Sequence, residues 1–317
     1  LVPVYYGTER KLENARDSEV PYYGSQSTDE LSYGMTYVRI PENHKFGKIE
    51  RFKRRRWLAL SHSGKDGFFI SEHNFLQVQK LRDELSSGCD ENIVVFIHGY
   101  NNSFEDAIFR AAQLKYDLQL SEPIVVYSWA SYGKPWGYFK DESHAKTAGK
   151  RLAKMLNDLG KGTNKKISVI AHSMGAYCLA NSMRNLSVKL DKVVLLAADV
   201  CQEQFTNIYG SDFTRETNNT TIYAAKNDRA LQAAKLFRIN PPRVGQIAGD
   251  VYCYDSIDTV DVSAHGYGRF IKHNYALASR IVLDEIHRML ILNAPITRRT
   301  LRQRRNMLGK VYWFLPA

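Results

Sequence analysis

Ile167-Ser168-Val169-Ile170-Ala171-His172-Ser173-Met174-Gly175-Ala176-Tyr177-Cys178-Leu179-Ala180 is the stretch that decides how the rest of the chain is read. Its first four residues are a short apolar run of the kind that forms a strand covered on both faces, and Ala176 to Ala180 reads as a small apolar helix. Between them stands a serine flanked by small residues, Ala171 before it and Gly175 after it. Small flanks let a strand and a helix meet at a sharp turn that carries the serine hydroxyl at its apex, a nucleophile elbow. The first small position holds Ala instead of Gly, and the turn remains feasible because Ala has the smallest side chain after Gly.

Outward from this unit, short apolar runs recur at 93–97, 124–127, 193–196, 221–224 and 251–254. Between them lie stripes of helical period: Ala107, Ile108, Ala111, Leu114 and Leu118, then Leu152, Met155, Leu156 and Leu159, with Gly160 as the expected stop of the second helix. Strand-helix alternation of this kind predicts an α/β fold with a doubly wound, mostly parallel sheet. The first 90 residues read differently. Residues 3–6, 33–40 and 68–70 look like strands joined by loops, which predicts antiparallel N-terminal edge strands that extend the same sheet. The expected organisation is one domain over 1–295, with 1–90 as its strand extension, followed by a basic, aromatic tail over 296–317.

With 317 residues, 44% hydrophobic and 24% charged, the chain has the composition of a soluble globular protein, and disordered or collagen-like classes are excluded. No stretch reaches the roughly 18–20 apolar residues of a membrane-spanning helix. The net charge of +11 is concentrated in two runs, Arg51 with Lys53 to Arg56, and Arg298, Arg299, Arg302, Arg304, Arg305 and Lys310. Both read as solvated loop or tail charge. Neither is accompanied by zinc-finger spacing or an Arg-aromatic repeat, so nucleic acid is not an expected partner. The terminal Tyr312-Trp313-Phe314-Leu315 beside that basic run suits an anionic membrane surface, and packing onto the body is the competing reading. The four cysteines, Cys89, Cys178, Cys201 and Cys253, form no C-x-x-C pair, which argues against a zinc or redox motif. Cys178 and Cys253 read as core residues. The sequence begins at Leu1, which reads as a processed or trimmed form, and leaves the compartment, cytoplasmic or exported, open.

In open α/β sheets reacting groups gather beyond the carboxyl ends of the strands. One such end is Ile97-His98-Gly99-Tyr100-Asn101-Asn102, an expected oxyanion-hole loop in which the amide of Tyr100 is one donor and the amide of Met174 the other. Asn102 or Ser103 would cap the helix that follows. Asp228 follows the run at 221–224 and is the first choice for a carboxylate that orients an imidazole, with Asp199 as its rival. His273, just ahead of a final helix, is the first choice for the base, and His265 the alternative. His98, His172 and His287 read as structural.

The order Ser173, Asp228, His273, with an oxyanion loop on an earlier strand, is that of α/β-hydrolases. Within them, His98 through Ala107, the Ser128-Trp129 strand end with Ser131, Gly133, Tyr138 and Asp141, and the elbow from Ala171 to Gly175 resemble the bacterial family called domain of unknown function nine hundred. Val4 to Arg10, and later Ile40-Pro41, His44, Gly47 and Ile49 to Arg51, are similar to its leading region, so the resemblance runs from about Val2 to Leu290. It implies an α/β-hydrolase fold and a place among esterases and lipases, and it implies no substrate. The expected activity is serine-dependent hydrolysis of a small carboxylic ester or similar acyl compound, with no metal or organic cofactor required by the chemistry. The alternatives are a membrane-associated lipase or phospholipase and a catalytically silent binding protein on the same fold. The oligomeric state is left open.

Overall fold

Residues 1–13, 22–51, 67–132, 137–226, 241–265 and 275–317 are described by the computed structural model. Among them, strands β1 (Val2–Glu13), β2 (Tyr22–Arg39), β3 (Phe69–Leu76), β4 (Asn92–Ile97), β5 (Ile124–Ser128), β6 (Lys166–His172), β7 (Leu190–Leu196), β8 (Thr217–Ala224), β9 (Asp258–Asp261), β10 (Arg302–Arg305) and β11 (Val311–Phe314) form one sheet. Its order is β10-β11-β9-β8-β7-β6-β4-β5-β1-β2-β3. Pairing is parallel from β11 through β9 and on to β1, while β2 runs against both its neighbours and β10 runs against β11. The helices are α1 (Val78–Ser87), α2 (Phe104–Asp117), α3 (Tyr138–Gly160), α4 (Met174–Ser182), α5 (Gln202–Gln204), α6 (Gly210–Glu216), α7 (Tyr275–Ala278) and α8 (Arg280–Leu290).

The continuous apolar runs are explained by cover on both faces. In β4, Ile93, Val95 and Ile97 enter one core with Leu152, Met155 and Leu156 of α3 and Cys178 and Leu179 of α4. Val94 and Phe96 enter a second core with Ala107, Ile108 and Leu114 of α2 and Ile286 of α8. The same alternation holds in β7, where Val193 and Leu195 face the first core and Val194 and Leu196 the second. Burying each such side chain contributes about 1.5–3 kcal/mol, against about 1 kcal/mol for the capping box that Ser103 and Asp106 build at the start of α2. Face burial therefore sets the topology, and caps set the helix ends.

The N-terminal edge strands β2 and β3 run antiparallel and extend the sheet, as expected, and β1 joins them to β5 in parallel, through Tyr5↔Val125 to Thr8↔Ser128. Two expectations are corrected. A helix, α1, follows β3 where only loops were expected; just Leu81 and Leu85 of it are buried, too thin a stripe to read. The aromatic run at 251–254 is not a strand: Tyr252 and Tyr254 pack edge-on against Phe205, and the strand that follows is the polar Asp258–Asp261. α3 ends at Gly160, as expected; a Cβ there would sit 2.5 Å from Val188 Cγ1, Lys161 is the C-cap, and Gly162 takes the left-handed turn.

The segment after Pro295 pairs into the sheet. β11 lies against β9 through Trp313↔Val260 and Phe314↔Asp261, and Leu315 is buried. Arg299, counted above among solvated charges, is buried and meets Glu285 of α8 at 3.0 Å and the Tyr223 hydroxyl of β8 at 3.4 Å. Burial pushes the Glu285 carboxyl up to about 7 in spite of Arg299 and Tyr223, which pull it down. A carboxyl raised on folding adds stability that is fully present below its unfolded value and is lost as pH rises through the folded one. The melting temperature is therefore expected to fall between about pH 4.5 and pH 7.5, by the equivalent of roughly 1–3 kcal/mol, and Glu285→Gln to flatten that slope. An unchanged slope in the variant rejects the assignment.

Candidate active site

Ser173 closes β6 and opens α4 with φ 56° and ψ −123°, a left-handed conformation that costs a non-glycine residue about 1–3 kcal/mol. Backbone bonds hold it there: its N–H donates to the Leu196 carbonyl at 2.9 Å, and its carbonyl accepts from Ala176 at 3.0 Å and from Asp199 at 3.1 Å. The tight approach falls at two glycines. A Cβ at Gly175 would lie 2.6 Å from the carbonyl oxygens of Ile97 and His98, and one at Gly99 would lie 3.0 Å from Ser173 Cβ and 3.2 Å from His172 Nδ1. Ala171 sits instead in the first core, where its methyl is accommodated, and this is why the elbow tolerates Ala at that position.

The loop after β4 is held by groups from four directions. The Gly99 carbonyl accepts from His98 Nδ1 at 2.7 Å and from Asn102 Nδ2 at 3.1 Å, and the same amide nitrogen donates to the Tyr100 carbonyl at 2.8 Å. In a trans peptide this leaves the Tyr100 N–H on the opposite side from the tethered carbonyl. Asp141, buried in the first turn of α3, accepts from the Asn101 N–H at 3.3 Å, the Ser131 hydroxyl at 2.6 Å and the Tyr132 N–H at 2.6 Å. Arg10, buried at the end of β1, donates to the carbonyls of Asn102 (2.7 Å), Gly24 (3.0 Å) and Ser131 (3.3 Å) and to the Ser128 hydroxyl (3.0 Å).

His98 is a structural residue of this loop. Its ring stacks on Trp129, whose indole donates to the His98 carbonyl at 2.8 Å, and burial pushes its pKa down to about 3, so it is neutral at ordinary pH. His287 bonds the Leu118 carbonyl through Nδ1 at 2.8 Å. His172 lies buried beside Gly99.

Asp228 and His273 lie outside the described residues. The described chain approaches them at Lys226, just past β8, and at Tyr275, the start of α7. The turns after β8 and β9 are tied together, because the Lys226 N–H donates to the Ser263 hydroxyl at 2.8 Å and that hydroxyl donates to Asp261. The two rivals are placed. Asp199 Oδ2 accepts from the Tyr138 hydroxyl at 2.7 Å, and its Oδ1 lies 3.3 Å from Arg243 Nε. His265 directs Nε2 to the Pro316 carbonyl at 2.9 Å. Sequence reading assigned no role in the site to Arg10, Tyr138, Asp141 or Arg243, and gave Asn102 only that of a candidate helix cap. Arg10, Tyr138 and Asp141 stood out in it only through the family resemblance, and Pro241-Pro242-Arg243 carries no motif.

A parallel, helix-covered sheet with a strained serine between its sixth strand and the next helix defines an α/β hydrolase. The chain belongs to the family described as alpha/beta hydrolase of unknown function (DUF900), which its residues 74–292 match. It is also similar to solved structures described as esterase PE8, at 15% identity and TM-score 0.37 over 65% of this chain and 94% of that one, and as Arabidopsis thaliana SOBER1, at 17% and 0.35 over 63% and 97%. No curated protein matches the sequence.

Gly99→Ala is expected to lower kcat by about 10²-fold or more with the fold retained, because the added methyl displaces either Ser173 or the adjoining amide. Kinetics alongside a melting curve check this; full activity would show that the loop has room.

Proposed function

We propose that the protein is a serine hydrolase that cleaves a carboxylic ester through an acyl-enzyme. The Ser173 oxygen bonds to the acyl carbon as its proton passes to His273, and the ester's alcohol leaves with that proton. Water then attacks the acyl-enzyme, gives its proton to His273 and returns Ser173 with release of the acid. Asp228 orients the imidazole, and the amides of Tyr100 and Met174 stabilise the oxyanion. The observation that carries this reading is the backbone of Ser173 at φ 56°, wedged against Gly99.

Support for Asp228 over Asp199 comes from the commitment of Asp199 to Tyr138 and Arg243. Support for His273 over His265 comes from the bond between His265 and Pro316. A screen over acyl esters of graded chain length, with a neutral fluorophosphonate as covalent probe, tests the reading. Turnover and stoichiometric labelling of Ser173 are expected; absence of both favours a silent binding protein on the same fold.

A second reading, contact with an anionic membrane, draws on the turn between β10 and β11, where Met307 and Leu308 are 81% and 80% exposed beside Arg305 and Lys310. That turn precedes β11, which runs parallel to β9, so it lies at the edge of the sheet opposite Ser173. Contact there would anchor the protein with its serine facing away from the bilayer. It therefore suits a tether better than hydrolysis of lipid at the surface.

A further inference from the structure

We propose that Arg243 is the anchor for an anionic group, a carboxylate or a phosphate, carried by the substrate, and so selects negatively charged esters for Ser173. The inference rests on the serine-hydrolase reading above and adds the class of substrate to it.

Arg243 is brought beside Asp199 by backbone pairing. Its segment runs antiparallel beside the chain leaving β7: the Val244 N–H donates to the Val200 carbonyl at 2.8 Å and the Gly245 N–H to the Ala198 carbonyl at 2.9 Å. At Gly245 a Cβ would fall 2.1 Å from the Ala198 nitrogen, so only glycine allows this approach. Asp199, next along, donates its N–H to the Ser173 carbonyl. Asp199, whose side chain Arg243 faces, is thus tied by its backbone to the nucleophile's carbonyl. Asp199 also accepts from Tyr138, whose ring meets that of Tyr100 in the proposed oxyanion loop at 5.6 Å.

The side chain is 8% exposed, yet it makes no hydrogen bond among the described residues. Its enclosed Nε lies 3.3 Å from Asp199 Oδ1 without hydrogen-bond geometry, and its terminal nitrogens join no described partner. Arg10 of the same chain is the contrast, with four hydrogen bonds that satisfy a purely structural guanidinium. A guanidinium stays charged and offers five donors in a planar fork, and an enclosed donor left without a partner, as Nε is among the described residues, is destabilising. Here Asp199 faces the Nε edge and leaves the terminal fork, which matches a carboxylate or phosphate in two parallel bonds. Tyr138 holds the other oxygen of Asp199 at 2.7 Å and so fixes the aim of the pair.

The charged groups facing Arg243 are Asp199 and Glu142. They offset its charge, so the fork supplies the short-range recognition, while the net charge of +11 draws anions toward the molecule at long range.

The test compares a succinate monoester, its neutral methyl diester and a phosphate-bearing ester of similar length, on the full chain and on Arg243→Met and Arg243→Lys. Arg243→Met is expected to lower kcat/KM for at least one anionic ester by about 10–150-fold, chiefly through KM, with a loss at least about tenfold smaller for the neutral diester. Arg243→Lys, which keeps the charge and loses the fork, falls between. The anionic ester that suffers more identifies carboxylate or phosphate as the group read. Equal losses on charged and neutral esters, or a parent enzyme that prefers the diester, overturn the proposal. A readout without turnover is the melting temperature in succinate or inorganic phosphate, expected to rise for the parent and to stay level for Arg243→Met. If the neutral fluorophosphonate leaves Ser173 unlabelled, the hydrolase reading fails while this shift still decides the anion site. No shift in the parent with either anion overturns it.

Discussion

Ser173→Ala is expected to remove ester turnover by at least about 10³-fold and to remove fluorophosphonate labelling altogether, because the only atom lost is the one proposed to bond to the acyl carbon. The fold is expected to persist. Ser173 is held by backbone bonds to Leu196, Ala176 and Asp199, none of which uses its hydroxyl, and Ala accepts φ 56° at a cost close to that of Ser. A melting temperature near that of the parent checks the fold while the kinetics check the chemistry. Residual turnover within about tenfold of the parent would show that another group does the work, since loss of a nucleophile costs far more.

Asp228→Asn is expected to lower kcat by up to about 10⁴-fold, because an amide in place of the carboxylate favours the wrong imidazole tautomer. Asp199→Asn is expected to cost about tenfold at most on a neutral ester. Its carboxylate already accepts the Tyr138 hydroxyl and faces Arg243, and an amide oxygen can still accept from Tyr138. The two variants separate the two roles. Should Asp199→Asn prove the costlier change on a neutral ester, the triad acid follows β7 instead of β8, and the pairing with Arg243 serves the base. Measuring both variants on charged and neutral esters keeps the acid's role apart from that of the anion anchor, because loss of an acid lowers turnover of every ester alike.

What the sequence determined by itself is local. The elbow was legible because strand, serine, small residue and helix lie within fourteen consecutive positions, and φ 56° at Ser173 is a property of that one turn. The parallel strands from β4 to β8 were legible because side chains at odd and even positions are both buried, which writes an unbroken apolar run. The close approach of the loop after β4 was legible at Gly99, where an added Cβ would lie 3.0 Å from Ser173 Cβ; its role as an oxyanion hole is a proposal.

Tertiary structure alone decided the rest, since those features join residues far apart in the chain through contacts that leave no period in the sequence. The run at 251–254 is as apolar as a strand and packs its tyrosines, half-buried, against Phe205 instead, because packing demands apolar side chains without dictating backbone pairing. β1 reads as a strand, but its parallel place beside β5, through Tyr5↔Val125 to Thr8↔Ser128, and the reach of Arg10 to Asn102, 92 residues on, are tertiary, and Arg299 reads as solvated charge until it meets Glu285. Arg243 shows this most plainly: nothing in Pro241-Pro242-Arg243 announces a partner, and the approach of Gly245 to Ala198 accompanies the placing of its guanidinium beside Asp199.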